Sequence, residues 1–84
     1  MKDVTIYSAD WCPYCNRAKK LLENKNIPYK EINVDQEEGA REKIIAQTGM
    51  KTIPQIFIGD HFVGGFSELS AIDASGELDK LLSK

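Results

Sequence analysis

The sequence predicts an α/β fold, a four-stranded mixed sheet covered by helices on both faces in the order β-α-β-α-β-β-α. Three observations lead there. Short runs rich in β-branched and aromatic residues recur at 4–7 (VTIY), 28–34 (PYKEINV), 55–58 (QIFI) and 61–63 (HFV), and read as strands. After each of the first two, apolar residues recur at helical spacing. The last two are separated only by Gly59 and Asp60, the length of a tight hairpin turn. A strand–helix–strand unit implies a parallel pair joined by a right-handed crossover, and the closing hairpin is expected to add two strands antiparallel to that pair.

Residues 4–7 predict a short buried strand, after which Ser8, Ala9 and Asp10 turn the chain. Pro13 suits the first position of a helix, because the N–H it lacks would be unpaired there in any case. Cys15, Ala18, Leu21 and Leu22 form the apolar stripe of that helix, Arg17, Lys19, Lys20 and Glu23 its other side, and Asn26 its end. In 28–34, Tyr29, Glu31 and Asn33 alternate with Lys30, Ile32 and Val34, which predicts a strand with one face buried. Asp35 and Glu38 fit a capping box for a second helix that turns Ala40, Ile44, Ile45 and Thr48 inward and stops at Gly49. Beyond the hairpin, Gly64 and Gly65 break the fourth strand and Ser67 is expected to cap a third helix through Leu69, Ala71 and Ile72. Gly76 interrupts that helix before 77–82 adds a turn or two. No repeat or linker divides the sequence, so 1–84 reads as one domain.

Composition narrows the function classes. Apolar residues at 42% and charged residues at 29% fit a globular domain and argue against disorder. A net charge of −2 with scattered Lys and Arg offers no basic patch for nucleic acid or an anionic membrane. No apolar run is long enough to span a bilayer. The opening MKDVTIYSAD lacks the apolar stretch of an export signal, so the expected setting is the cytoplasm, where thiols are kept reduced.

Both cysteines lie in DWCPYCNRAKK, residues 10–20. A structural staple closing so short a loop would contribute only about 2 kcal/mol and would be reduced in that compartment. A zinc site takes about four ligands, whereas the chain offers two Cys and one His, with His61 on a distant hairpin; no metal is expected. The third reading is a reagent. Cys12 precedes the helix-starting Pro13, so the unpaired N–H groups of Tyr14 and Cys15 and the positive end of the helix dipole favour a thiolate there. Cys15 lies one turn further in, on the inward face. The asymmetry assigns Cys12 as the attacking and leaving sulfur and Cys15 as the resolving one. Nucleophilicity falls as a thiol becomes more acidic, so the lasting gain of such a site is a sulfur that leaves a mixed disulfide easily.

CPYC at 12–15 after a first strand, TIPQIFI at 52–58 and GGFSEL at 64–69 resemble a glutaredoxin of the dithiol kind, with length and element order matching end to end. The resemblance implies a thioredoxin-like three-layer α/β/α fold. It also implies an enzyme that reduces glutathionyl mixed disulfides and protein disulfides, with glutathione as co-substrate and a monomeric state. By the same resemblance the Ile53–Pro54 bond is cis and faces Cys12, and Thr52, Ile53 and Pro54 offer backbone to glutathione as an added strand does. Gly64 and Gly65 allow close approach. Ser67 at a helix start suits the γ-glutamyl carboxylate and Glu68 its ammonium, although both residues also suit plain capping. Relatives usually carry Asp where this chain has Glu68, and many carry Lys where it has Ala9. Lys51 is then the first choice for the glycine carboxylate, ahead of Gln47 and Arg41. Tyr14 and Phe66 are expected to flank the sulfur. Trp11 reads equally as a docking ring or as packing; Tyr7, Tyr29 and Met50 read as packing, and His61 as a hairpin residue. The resemblance leaves two further readings: a redoxin reduced by thioredoxin reductase and serving ribonucleotide reductase, and a dimeric iron–sulfur carrier ligated through glutathione.

Overall fold

A computed structural model describes residues 2–83. The elements are β1 (Val4–Ser8), α1 (Pro13–Asn24), β2 (Lys30–Asn33), α2 (Ala40–Thr48), β3 (Gln55–Ile58), β4 (His61–Gly64), α3 (Phe66–Ser75) and α4 (Glu77–Ser83). The sheet order is β2-β1-β3-β4. β1 pairs with β2 in parallel, Ile6 beside Glu31, and with β3 antiparallel, Ile6 beside Ile56. β4 pairs antiparallel to β3, so it runs in the direction of β1. Only one strand of the hairpin therefore opposes the first pair, because a two-residue turn must reverse the chain between them. A bulge at the Ile56/Phe57 step displaces the register of β4 beside the segment that leads to α3.

Alternation along β1 sends Val4 and Ile6 to one face, where they meet Ala18 and Leu22 of α1, Ile56 and Ile58 of β3, Leu69 of α3, and Leu78 and Leu82 of α4. This is the main core; fully burying each of its large aliphatic side chains contributes about 1.5–3 kcal/mol. A smaller cluster joins Ala9, Cys12, Cys15, Val34 and Ala40, with Tyr7, Ile32 and Ile53 packed on it. The two cysteines are thus embedded where β1, α1 and the start of α2 converge.

Two local expectations change. The second strand is shorter than 28–34 and lies at the sheet edge, so its side chains are exposed or half-buried and only Val34, just beyond it, is buried. The Asp35–Glu38 capping box does not form. Asn33 Oδ1 instead accepts the N–H groups of Asp35 and Gln36 at 3.0 and 3.2 Å, which turns the chain before a helix can begin. α2 starts only at Ala40, after Gly39 in the left-handed region with φ 77°. The expected ends at Asn26 (φ 59°) and Gly49 (φ 77°) hold as left-handed residues beyond α1 and α2.

Candidate active site

Cys12 is the N-cap of α1, with Pro13 in the first turn, as the sequence predicts. Its sulfur accepts a 3.1 Å hydrogen bond from the Cys15 N–H. Of the two donors expected, Cys15 alone makes this bond. A sulfur that accepts a backbone N–H at a helix start is placed where negative charge is favoured. On its other side the Cys12 thiol points at the Ile53 carbonyl, 3.8 Å away. Cys12 is 3% exposed and Cys15 fully buried, and both are free thiols. Burial, with a hydrogen bond to Cys12 second, pushes the Cys15 thiol up to about 12. Cys15 therefore keeps its proton at neutral pH, although only Pro13 and Tyr14 separate it from Cys12 in sequence.

Opposite Cys12, the Ile53–Pro54 bond is cis. Beside it lies a groove of about 390 Å³, lined by Tyr14, Met50, Thr52, Ile53, Pro54, Gly65, Phe66, Ser67 and Glu68. That volume falls in the small-ligand range of ~300–1,000 Å³. Tyr14, Thr52, Ile53, Pro54, Gly65, Phe66, Ser67 and Glu68 are there as the sequence suggested, whereas Gly64, Lys51, Gln47 and Arg41 are not part of the lining, and Lys51 is exposed. Met50, expected to be packing, is part of the wall. Met50, next to Lys51 in sequence, gave no signal, since a lone Met reads as core.

The groove has an aromatic side and a polar end. Tyr14 and Phe66 lie with ring centroids 6.3 Å apart, and the Arg17 guanidinium sits 5.1 Å over the Tyr14 ring. At the polar end the N-cap of α3 is Gly65, not Ser67. Glycine has no capping side chain, so Glu68 supplies the contact: its Oε1 accepts the Gly65 N–H at 2.8 Å and its Oε2 accepts the Ser67 hydroxyl at 3.1 Å. The Gly65 N–H bond first, and the Ser67 hydroxyl second, hold the Glu68 carboxyl below its ordinary range. It is an anion at neutral pH at the head of a helix. A methyl group on Gly65 would lie 3.5 Å from the Pro54 carbonyl and 3.3 Å from Glu68 Oε1, so a larger residue here would crowd the groove wall.

Trp11 is 65% exposed beside Cys12, which decides between its two readings in favour of a surface ring. Its indole N–H donates to Asp35 Oδ2 at 2.7 Å, and Asp35 Oδ1 accepts from Arg41 at 2.7 Å. Arg41 is thereby engaged away from the groove. His61 is exposed at the start of β4, as a hairpin residue. Ala9, where the resemblance leads to an expectation of Lys, is fully buried within the cysteine cluster.

Comparison with known proteins agrees with this geometry. Residues 4–63 match the family model described as Glutaredoxin. The chain is 45% identical over 82 residues to glutaredoxin 3 of Escherichia coli strain K12, covering 98% of this chain and 99% of that protein. It is also 45% identical over 83 residues to a glutaredoxin of Pseudomonas aeruginosa, covering 99% of each. Among solved structures, a glutaredoxin of Brucella melitensis superposes with a TM-score of 0.85 at 44% identity, over 98% of this chain and 89% of that one. A buckwheat glutaredoxin–glutathione complex superposes with a TM-score of 0.90 at 29% identity, over 98% of this chain and 77% of that one.

Proposed function

The chain belongs to the glutaredoxin family, whose members are thiol–disulfide oxidoreductases, and from that premise we propose that it draws its electrons from glutathione and acts on glutathionyl mixed disulfides and protein disulfides. The observation that carries the reading is the groove: the Ile53–Pro54 edge, whose Ile53 carbonyl lies 3.8 Å from the Cys12 sulfur, meets the anionic start of α3. A tripeptide with an extended backbone and a zwitterionic end matches both features.

In the proposed cycle the Cys12 thiolate attacks the glutathionyl sulfur of a mixed disulfide. A Cys12–glutathione bond forms, the substrate–glutathione bond breaks, and the substrate leaves as a thiolate that takes a proton from water. A second glutathione thiolate then attacks the adduct, giving oxidised glutathione and releasing Cys12 as the thiolate. With a protein disulfide, Cys12 forms the mixed disulfide and Cys15, giving up its proton, attacks the Cys12 sulfur. The substrate departs reduced and a Cys12–Cys15 bond remains for two glutathione molecules to reduce. Ser67 and Glu68 hold the γ-glutamyl end, Thr52 and Ile53 offer backbone, and Tyr14 and Phe66 shield the sulfur. Lys51 reaches the glycine carboxylate from outside the lining. The proposed setting is a reducing cytoplasm and the proposed state a monomer.

The test is a coupled mixed-disulfide assay run with glutathione and glutathione reductase in one arm and thioredoxin reductase in the other. Turnover in the first arm alone is expected. Turnover only in the second would replace this reading with that of a reductase-dependent redoxin, which the buried Ala9 and the position of Lys51 outside the groove would then explain.

A further inference from the structure

The segment Met50–Pro54, which presents the groove edge to Cys12, makes no backbone–backbone hydrogen bond of its own among the described residues. Side chains hold it. Gln55, the first residue of β3, is fully buried. Its Nε2 donates to the carbonyls of Met50 at 2.8 Å and Thr52 at 3.0 Å, and its Oε1 accepts the Thr48 hydroxyl at 2.7 Å. Thr48 Oγ1 in turn accepts the Met50 N–H at 3.2 Å and lies 3.0 Å from the Ile44 carbonyl at the end of α2. The amide orientation is fixed by chemistry: turned over, its oxygen would face two carbonyl oxygens and its NH₂ would lose both acceptors.

From this arrangement we infer that Gln55 is a positioning residue for the reaction: its buried amide sets the register of Thr52, Ile53 and Pro54 against Cys12, and so sets how well the groove binds a glutathionyl substrate. The bonds that a regular strand would make along 50–54 are made by one side chain instead. That leaves the backbone polar groups of Ile53 uncommitted to the protein's own ladder, apart from the carbonyl's long contact with the Cys12 thiol. Thr48 and Gln55 clamp the segment from both flanks, between the end of α2 and the start of β3. A displacement of about 1 Å in a substrate-positioning edge can cost on the order of a hundredfold in rate, so a clamp of this kind acts on catalysis without touching the reacting atoms.

The inference rests on the glutathione docking proposed above, and its test separates the two. Gln55→Met keeps the length and apolar volume of the side chain but removes all three hydrogen bonds. The full chain, wild type and variant, is assayed on a glutathionylated peptide with glutathione as reductant, and Cys12 is separately alkylated with iodoacetamide, a small reagent that needs no groove. The expected result is a KM for the glutathionylated peptide raised about tenfold or more. The alkylation rate stays within about twofold and kcat changes less than KM. Should Gln55→Met fail to fold, Thr48→Val removes the other end of the clamp and is expected to raise KM in the same sense, with Thr48→Ser restoring it. A folded variant with an unchanged KM overturns the inference, as does a parallel loss of KM, kcat and alkylation rate. A wild type that turns over no glutathionylated peptide overturns the docking reading itself.

Discussion

The Trp11 indole N–H donates a 2.7 Å hydrogen bond to Asp35, tying the residue before Cys12 to the loop that leads into α2. Arg41 completes the arrangement from the first turn of α2, at 2.7 Å from the other carboxylate oxygen. The Arg41 bond first, and the Trp11 bond second, hold the Asp35 carboxyl below its ordinary range. Trp11 is the only tryptophan of the chain, so selectively excited fluorescence reads the surroundings of this one ring, the Asp35 contact among them. On acidification its emission is expected to shift with a midpoint below the usual aspartate range, because protonation removes an acceptor that the fold favours as the anion. In Arg41→Ala the midpoint should move upward, and in Asp35→Asn the transition should vanish. An unmoved midpoint in Arg41→Ala would show that the guanidinium does not hold the carboxylate.

The unequal environments of the two cysteines predict a split in substrate range. Cys12→Ser is expected to fall to background on every substrate, because the only other thiol, Cys15, is fully buried. Cys15→Ser should keep turnover of glutathionyl mixed disulfides and lose reduction of protein disulfides, which requires an internal resolving thiol. Parallel assays on the two substrate types decide it; equal losses in the Cys15 variant would refute the assignment of roles.

Alkali should weaken the reduced protein in a defined window. Burial first, then the hydrogen bond to Cys12, raises Cys15 from 9.0 to about 12. Burial first, then the hydrogen bond to Glu23, raises Tyr29 from 10.0 to about 12. The unfolded chain gives up these protons near the ordinary values and the folded chain only near pH 12, so the fold favours the protonated forms. Their stabilising contribution is complete below about pH 9 and is lost progressively as pH rises toward about 12. Urea midpoints of the reduced protein are expected to decline across that range. Cys15→Ser should flatten the lower part of the decline and Tyr29→Phe the upper part. A midpoint that stays constant from pH 9 to 12 would contradict both assignments.

Lys51 is exposed, and a cation reaching a ligand carboxylate through solvent contributes modestly. Lys51→Ala is expected to raise KM for the glutathionylated substrate about two- to fivefold, with kcat nearly unchanged, and added salt should reduce the difference. A KM insensitive to both the substitution and salt would remove Lys51 from the binding site.

Much of this was legible in the chain. Alternation in VTIY, the helical spacing after Pro13 and the short Gly59–Asp60 link follow from local stereochemistry, which each residue carries with it into the fold. The placement of Cys12 at a helix start is local in the same sense, since Pro13 dictates where α1 begins. The signals that failed were those in which two local options compete. Asp35 and Glu38 could have capped α2, but Asn33 captured the same turn first and left Asp35 free for Trp11 and Arg41. Ser67 could have capped α3, but Glu68 took the Gly65 N–H and Ser67 bonded to Glu68.

The sequence by itself determined the order of elements and the close pair of sulfurs with Cys12 at a helix start, because these depend on neighbours within a turn or two. Only the tertiary structure decided that Cys15 is buried deeply enough to keep its proton, that Met50 rather than Lys51 lines the groove, and that Gln55 holds the segment facing Cys12. Each of those depends on atoms brought together from distant parts of the chain, where burial and the pairing of buried polar groups are settled by packing.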